Sequence, residues 1–305
     1  MSKAIIAMDK SGSFRVYITV TTDMVQQAAD IHGTTPLAAA GLGRVLTAAG
    51  LMGIMLKDED NKLTVNFKGD GPAGQILATA YGDGRVKGYI SNPSVELPPR
   101  SEGKLDVGSS LGIGNLTVIK DLGLKEPYIG TIALVSGEIA EDLAAYFFIS
   151  EQQNTSVSLG VKVERDYSIG AAGGMIIQML PGADEGAIEA LEKMIDGARP
   201  ITSVIEDAKA TEGLSEIGVV RKVMEDIFAD MPDEYRVEEL EERRIIWECD
   251  CSCERIQAAL AAIGEDDLRE IIEEDGEAEL QCHFCLKKYH FDREELEEIL
   301  QGLKD

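Results

Sequence analysis

The sequence predicts an α+β fold: a large mixed N-terminal domain with mainly antiparallel sheets, a helical linker, and a small C-terminal zinc-binding domain. Three observations carry this reading. Period-two apolar runs separated by Gly-, Asp- and Pro-rich turns recur through residues 1–180, without the steady strand–helix alternation of a parallel sheet. From Pro181 the pattern changes to short, acidic segments of helical period. All five cysteines of the 305 residues then fall after Glu248, in the clusters Cys249-Asp250-Cys251-Ser252-Cys253 and Cys282-His283-Phe284-Cys285. The expected boundaries are 1–180 for the core domain, 181–240 for a metastable acidic linker and 241–305 for the cysteine domain.

Residues 4–7 and 14–21 are rich in β-branched side chains around the turn Asp9-Lys10-Ser11-Gly12, which predicts a hairpin. Thr22-Asp23 starts a helix that runs to His32, and Thr34-Thr35-Pro36 starts a second with proline in its first turn. That second helix contains the apolar run Leu37–Leu56, long enough for a membrane span. The internal Arg44 and the many Ala and Gly residues favour a helix buried in a soluble domain. Strands are expected at 63–67, 75–81, 86–90, 116–119, 128–135, 156–163 and 174–180, with a helix at 138–149. Gly69-Asp70-Gly71-Pro72-Ala73-Gly74 fits the dinucleotide fingerprint G-x-G-x-x-G, but Gln75–Tyr81 after it reads as a strand, so the glycines serve a strand connection. Beyond Pro181, helices are expected at 185–196, 202–209 and 215–228. Ile217, Val220, Met224, Ile227 and Phe228 share one face of the last, and acidic residues crowd the other. Arg243–Glu248 reads as a short strand, 256–263 and 267–274 as helices, and Asp292 as the cap of a final helix to Leu303.

Charge separates the two halves. Residues 1–180 hold 15 Lys+Arg against 19 Asp+Glu, a net of -4, whereas residues 181–305 hold 14 against 36, a net of -22. So acidic a half disfavours nucleic acid and anionic membrane as partners, since both need basic footprints. No export signal is legible at Met1–Asp9, and a reducing cytoplasm is the expected compartment. There, clustered cysteines bind metal or sense redox state more often than they form permanent disulfides.

Two close thiol pairs that fold back on each other make a four-sulfur tetrahedral Zn²⁺ site. Thirty residues lie between Cys251 and Cys282, a span that two short helices can close. The fifth thiol leaves an ambiguity, because Cys249/Cys251 and Cys251/Cys253 both satisfy C-x-C. His283 and His290 are near enough in sequence to substitute as ligands, and His32 reads as structural. A competing reading makes Cys282-His283-Phe284-Cys285 the active pair of a thiol–disulfide oxidoreductase, with one low-pKa thiol at a helix N-terminus. Three histidines and no nucleophile elbow offer no hydrolytic triad.

C-D-C-S followed after thirty-odd residues by C-x-x-C resembles the bacterial redox-regulated heat-shock chaperonins known as the heat-shock protein 33 family. The resemblance extends over essentially the whole chain. It includes Gly69-Asp70-Gly71-Pro72, Gly88-Tyr89-Ile90-Ser91-Asn92-Pro93, Tyr146-Phe147-Phe148-Ile149-Ser150-Glu151-Gln152, and Ala172-Gly173-Gly174-Met175-Ile176-Ile177-Gln178-Met179-Leu180-Pro181-Gly182-Ala183. Carried over position by position, it implies Zn²⁺ ligands Cys249, Cys251, Cys282 and Cys285, and redox disulfides Cys249–Cys251 and Cys282–Cys285. Cys253 stands where the family often has a basic residue, and its role is unassigned. The resemblance further implies a non-enzymatic holdase that is inactive when reduced and zinc-bound, active on unfolded clients once oxidised, and homodimeric on activation.

Overall fold

The computed structural model describes residues 2–303. Contacts divide the chain into two compact units, Met1–Glu248 and Cys249–Asp305.

The larger unit opens with the expected hairpin, β1 (Ser2–Asp9) and β2 (Phe14–Val20). Its turn is tied by the Asp9 carboxylate, which accepts from the Ser11 and Phe14 amides at 3.0 and 2.7 Å. Helix α1 (Thr22–His32) stops at Gly33, whose φ of 58° is left-handed, and α2 (Pro36–Ile54) starts where Thr35 Oγ1 accepts from the Ala38 amide. This is the helix long and apolar enough to cross a membrane, and 94% of that stretch is buried within the protein. Arg44, which interrupts it, reaches the Glu138 carboxylate at 2.7 Å. Then follow β3 (Lys62–Gly69), β4 (Gln75–Tyr81), β5 (Arg85–Ile90), α3 (Val107–Leu111), β6 (Gly114–Asp121), β7 (Tyr128–Ala133) and α4 (Ala140–Ser150). The glycine motif closes the β3–β4 hairpin, with the Gly69 amide on the Gly74 carbonyl, and no helix opens there. The unit ends with β8 (Thr155–Val163), β9 (Ile169–Met179), α5 (Glu185–Asp196), α6 (Ile201–Lys209), α7 (Glu216–Ile227) and β10 (Val237–Trp247).

All ten strands join one sheet in the order β7-β6-β3-β4-β5-β10-β1-β2-β9-β8, antiparallel throughout except where β10 meets β5. Alternation along β1 shows how it is layered. Ala4 and Ile6 enter the cluster built around α2, while Ile5 and Ala7 enter a second cluster with α5, α6 and α7. Those three helices, with Phe228 directly after α7, bury Leu191, Ile205, Val220, Val223, Met224 and Phe228 against β1, β2 and β9.

Two strands are longer than their sequence pattern indicates. β9 begins at Ile169 rather than Gly174, because Gly170-Ala171-Ala172-Gly173 reads as a loop although it is paired with β2 and β8. Its small residues are needed there: a Cβ on Gly173 would stand 2.6 Å from both Ile205 Cδ1 and the Thr19 carbonyl oxygen. β10 begins at Val237 rather than Arg243. Its first half is the acidic run Glu238-Glu239-Leu240-Glu241-Glu242, which carries no apolar alternation but pairs along β1. The division by contacts therefore falls after Glu248, and residues 241–248 belong with the larger unit rather than with the cysteines. Helix α3, too short to show a period, has no counterpart in the sequence reading.

The smaller unit consists of α8 (Cys253–Ala261), α9 (Glu265–Glu274), the hairpin β11 (Ala278–Gln281) and β12 (Lys288–Phe291), and α10 (Arg293–Gly302). Asp292 caps α10 as expected, in a reciprocal box with Glu295. Leu260, Leu268, Ile272, Tyr289, Phe291 and Leu296 form its core, which includes Cys282.

Candidate metal centre

Two loops of the smaller unit present the sulfurs. The first is the stretch before α8, where Ser252 caps the helix by accepting from the Arg255 amide at 3.3 Å. Arg255 also turns back onto Asp250, through its carboxylate and through its carbonyl at 3.1 Å, and so holds the residue between Cys249 and Cys251. The second is the β11–β12 turn. There the Cys282 amide donates to the Lys287 carbonyl and the Leu286 amide to the Cys282 carbonyl, both at 2.9 Å, while Leu286 takes a left-handed φ of 58°. This tight knuckle points Cys282 and Cys285 the same way.

The Sγ atoms of Cys249, Cys251, Cys282 and Cys285 lie within 4.8 Å of one another. Across the two pairs, Cys249 is 3.7 Å from Cys282 and Cys251 is 3.3 Å from Cys285. A tetrahedron with Zn–S bonds of about 2.3 Å has sulfurs roughly 3.8 Å apart, so the spacing suits that ion. No disulfide joins any of the five cysteines.

Electrostatics give the same result. Burial pushes the Cys249 and Cys285 thiols up, although the backbone amides of Cys251 and Lys287 work against it. Burial also opposes ionisation of Cys251, but hydrogen bonds outweigh it, chiefly from the Tyr289 hydroxyl at 3.1 Å, and bring that thiol down to about 7. Tyr289 is raised in turn, first by its bond to Cys251. Two of these thiols are thus pushed up and one down, and a cation bound among them would favour the thiolate form. A divalent ion that prefers sulfur fits this donor set.

Cys253 is exposed on the first turn of α8 and stands outside the four-sulfur group. No histidine belongs to that group: His290 bonds Glu277 at 3.0 Å, and His32 lies buried in the larger unit, its Nε2 3.2 Å from the Gly88 carbonyl. The oxidoreductase reading asks for a depressed thiol in Cys282-His283-Phe284-Cys285 at a helix start. Both cysteines instead sit in the connection between β11 and β12, with Cys285 shifted up, and the depressed thiol belongs to the other pair.

The sequence matches the profile of the family described as "Hsp33 protein" over residues 2–292. The chain belongs to the Hsp33 family. Its relatives include the "33 kDa chaperonin" of Alkaliphilus metalliredigens, 45% identical over 99% of each chain. That of Alkaliphilus oremlandii is 48% identical over 95% of this chain and 93% of its own. Among solved structures, the 33 kDa chaperonin (heat shock protein 33 homolog) of Thermotoga maritima covers 99% of each chain at 33% identity with a TM-score of 0.85. The expected α+β fold and the resemblance both hold, and the family's relatives are named as chaperonins rather than as enzymes.

Proposed function

We propose that this Hsp33-family chain is a redox-regulated holdase, inactive while Cys249, Cys251, Cys282 and Cys285 hold Zn²⁺ and active once they are oxidised. The observation that carries the proposal is the convergence of those four sulfurs. Bound Zn²⁺ supplies the positive charge that keeps all four ionised, and a structural site of this kind contributes about 10–16 kcal/mol to folding its module. Whole domains are typically stable by only about 5–15 kcal/mol, so a unit as small as 249–303 depends on the site.

In each pair, a two-electron oxidant such as hydrogen peroxide takes two electrons from the two thiolates and two protons from solvent. One S–S bond forms, and the peroxide is reduced to two waters. The pairing proposed is Cys249–Cys251 with Cys282–Cys285. The C-x-C bridge closes the smaller and more strained ring, so it is the more readily reduced and makes the switch reversible. Once its donors are consumed, the module loses its main stabiliser. Only Glu248 separates Cys249 from β10, and Glu239 and Glu242 of β10 hold Arg221 of α7, so loosening has a covalent route into the acidic segment 181–240. Like charges on that segment's exposed side favour its release. The freed apolar stripe, including Val220 and Met224, would then hold unfolding clients.

The proposed setting is a reducing cytoplasm under oxidative stress, with a homodimer forming on activation and no nucleic-acid or membrane partner. The test is to load the reduced protein with zinc, treat it with peroxide or hypochlorite, and follow metal release, disulfide mapping and aggregation of a heat-unfolding client. Suppression only after oxidation is expected. Equal suppression in both states would remove the switch, and none in either state would remove the chaperone.

A further inference from the structure

The larger unit has a groove of about 1040 Å³ where α5, the α5–α6 connection and the end of α7 stand off β8. One side is formed by Ser156, Val157 and Ser158 of β8, and the other by Ala190, Lys193 and Met194 of α5, with Met175 and Val204 also lining it. Three properties of the groove converge on one kind of occupant. First, β8 is the last strand of the sheet and, among the described residues, pairs only with β9. Its other edge therefore presents amide and carbonyl groups that an added strand could take up. Second, the lining is apolar between the serines and the helices, which suits the alternate side chains of an extended segment.

Third, the charge is unusual for this chain, in which 55 acidic residues outnumber 29 basic ones. Lys104 and Lys193 line the groove with no ion pair among the described residues. Arg199 is held by Asp207 at 2.7 Å and Asp226 by Lys222, so Asp230 is the carboxylate left to oppose the two lysines. From these observations we infer that the β8 edge and its two lysines seat an extended segment of an unfolding client, apolar with acidic side chains, by strand addition.

This rests on the chaperone reading and adds to it a preformed site on the rigid sheet, which shares only Ile227 with the stripe on α7. The β8 side does not depend on the cysteines, whereas the α5–α6 side belongs to the acidic segment. Oxidation should therefore widen the groove without removing its strand edge.

The test uses the full chain, zinc-loaded and reduced or else oxidised, and a fluorescein-labelled acetyl-Val-Glu-Ile-Val-Glu-Val peptide followed by anisotropy, with a Lys-for-Glu peptide as the counterpart. The Glu peptide should bind in preference to the Lys peptide, and more tightly after oxidation. Lys193→Glu should weaken the Glu peptide by at least about tenfold and favour the Lys peptide. Ala190→Trp, which fills the groove, should abolish both. If Ala190→Trp does not fold by circular dichroism, the surface variant Lys193→Glu decides alone. Affinity unchanged in Lys193→Glu overturns the site. Dimerisation of the peptide-free protein that Lys193→Glu abolishes also overturns it, in favour of a second copy as occupant. The two readings fail separately: client aggregation suppressed by oxidised protein but peptide affinity insensitive to Lys193 removes only the groove, while the reverse result removes only the holdase.

Discussion

Cys282 is 8% exposed and packs with Leu260, Leu268 and Phe291, whereas Cys253 faces solvent. Replacing Cys282 by Ser should therefore abolish zinc binding and melt the smaller unit, while Cys253→Ser should keep the wild-type zinc content, both read by metal analysis and circular dichroism. Loss of metal in Cys253→Ser would reassign the ligands. Tyr289→Phe removes the hydroxyl that donates to Cys251 and keeps the ring in its core. Zinc affinity, measured by competition with a chelator, should fall by about 10- to 100-fold, the usual cost of losing a group that orients a ligand. That two thiol pairs come together was legible in the sequence because C-x-C and C-x-x-C put sulfurs on two tight loops, although spacing alone left open whether Cys249 or Cys253 pairs with Cys251. Tyr289 was not: nothing local in Lys288-Tyr289-His290-Phe291 indicates that its hydroxyl meets a sulfur 38 residues away. The Asp250–Arg255 tie escaped for a different reason, since a charge pair beside a cap looks like ordinary solvated surface.

At the level of elements, the helices after Pro181 test how firmly the acidic segment is held. Val223 is fully buried on α7, and Val223→Ala should cost on the order of 2 kcal/mol in the segment's unfolding, read by denaturant melts. Arg221 joins α7 to β10 through Glu239 at 2.8 Å and Glu242 at 3.0 Å. These side chains are partly exposed, so Arg221→Ala should cost only about 0.5–1 kcal/mol, yet it should raise hydrogen exchange across α7 without changing zinc content. A change in zinc content with no change in exchange would break the proposed route. Helix α5 was legible residue for residue because Asp184 caps it and its apolar stripe is regular. The expected stripe on α7 omitted Val223, which lies between Val220 and Met224 and widens the buried face. The first half of β10 was hidden because its glutamates find their partners elsewhere, at Arg221 and Lys10, rather than in an alternating pattern of their own.

For the whole molecule, stripping zinc with a chelator should unfold residues 249–303, loosen α5, α6 and α7 and leave the ten-stranded sheet intact, seen as separate transitions by calorimetry and as raised exchange in those segments but not in the sheet. A single cooperative transition would contradict that independence. Sequence alone marks the ten strands of the larger unit, but neither the β11–β12 hairpin nor the order of the sheet, because period-two runs mark strands without naming their neighbours. β10 in particular inserts between β5 and β1, parallel to one and antiparallel to the other. That position has a consequence for synthesis. β1 ends at residue 9, and the strand that covers its outer edge does not begin until residue 237. At ribosomal rates of about 5–20 residues per second, β1 waits roughly ten to fifty seconds with that edge open, and β5 waits beside it. Two naked strand edges on a growing chain are the kind of surface that aggregates. Until its own middle strand emerges, the nascent protein is itself a molecule in need of a holdase.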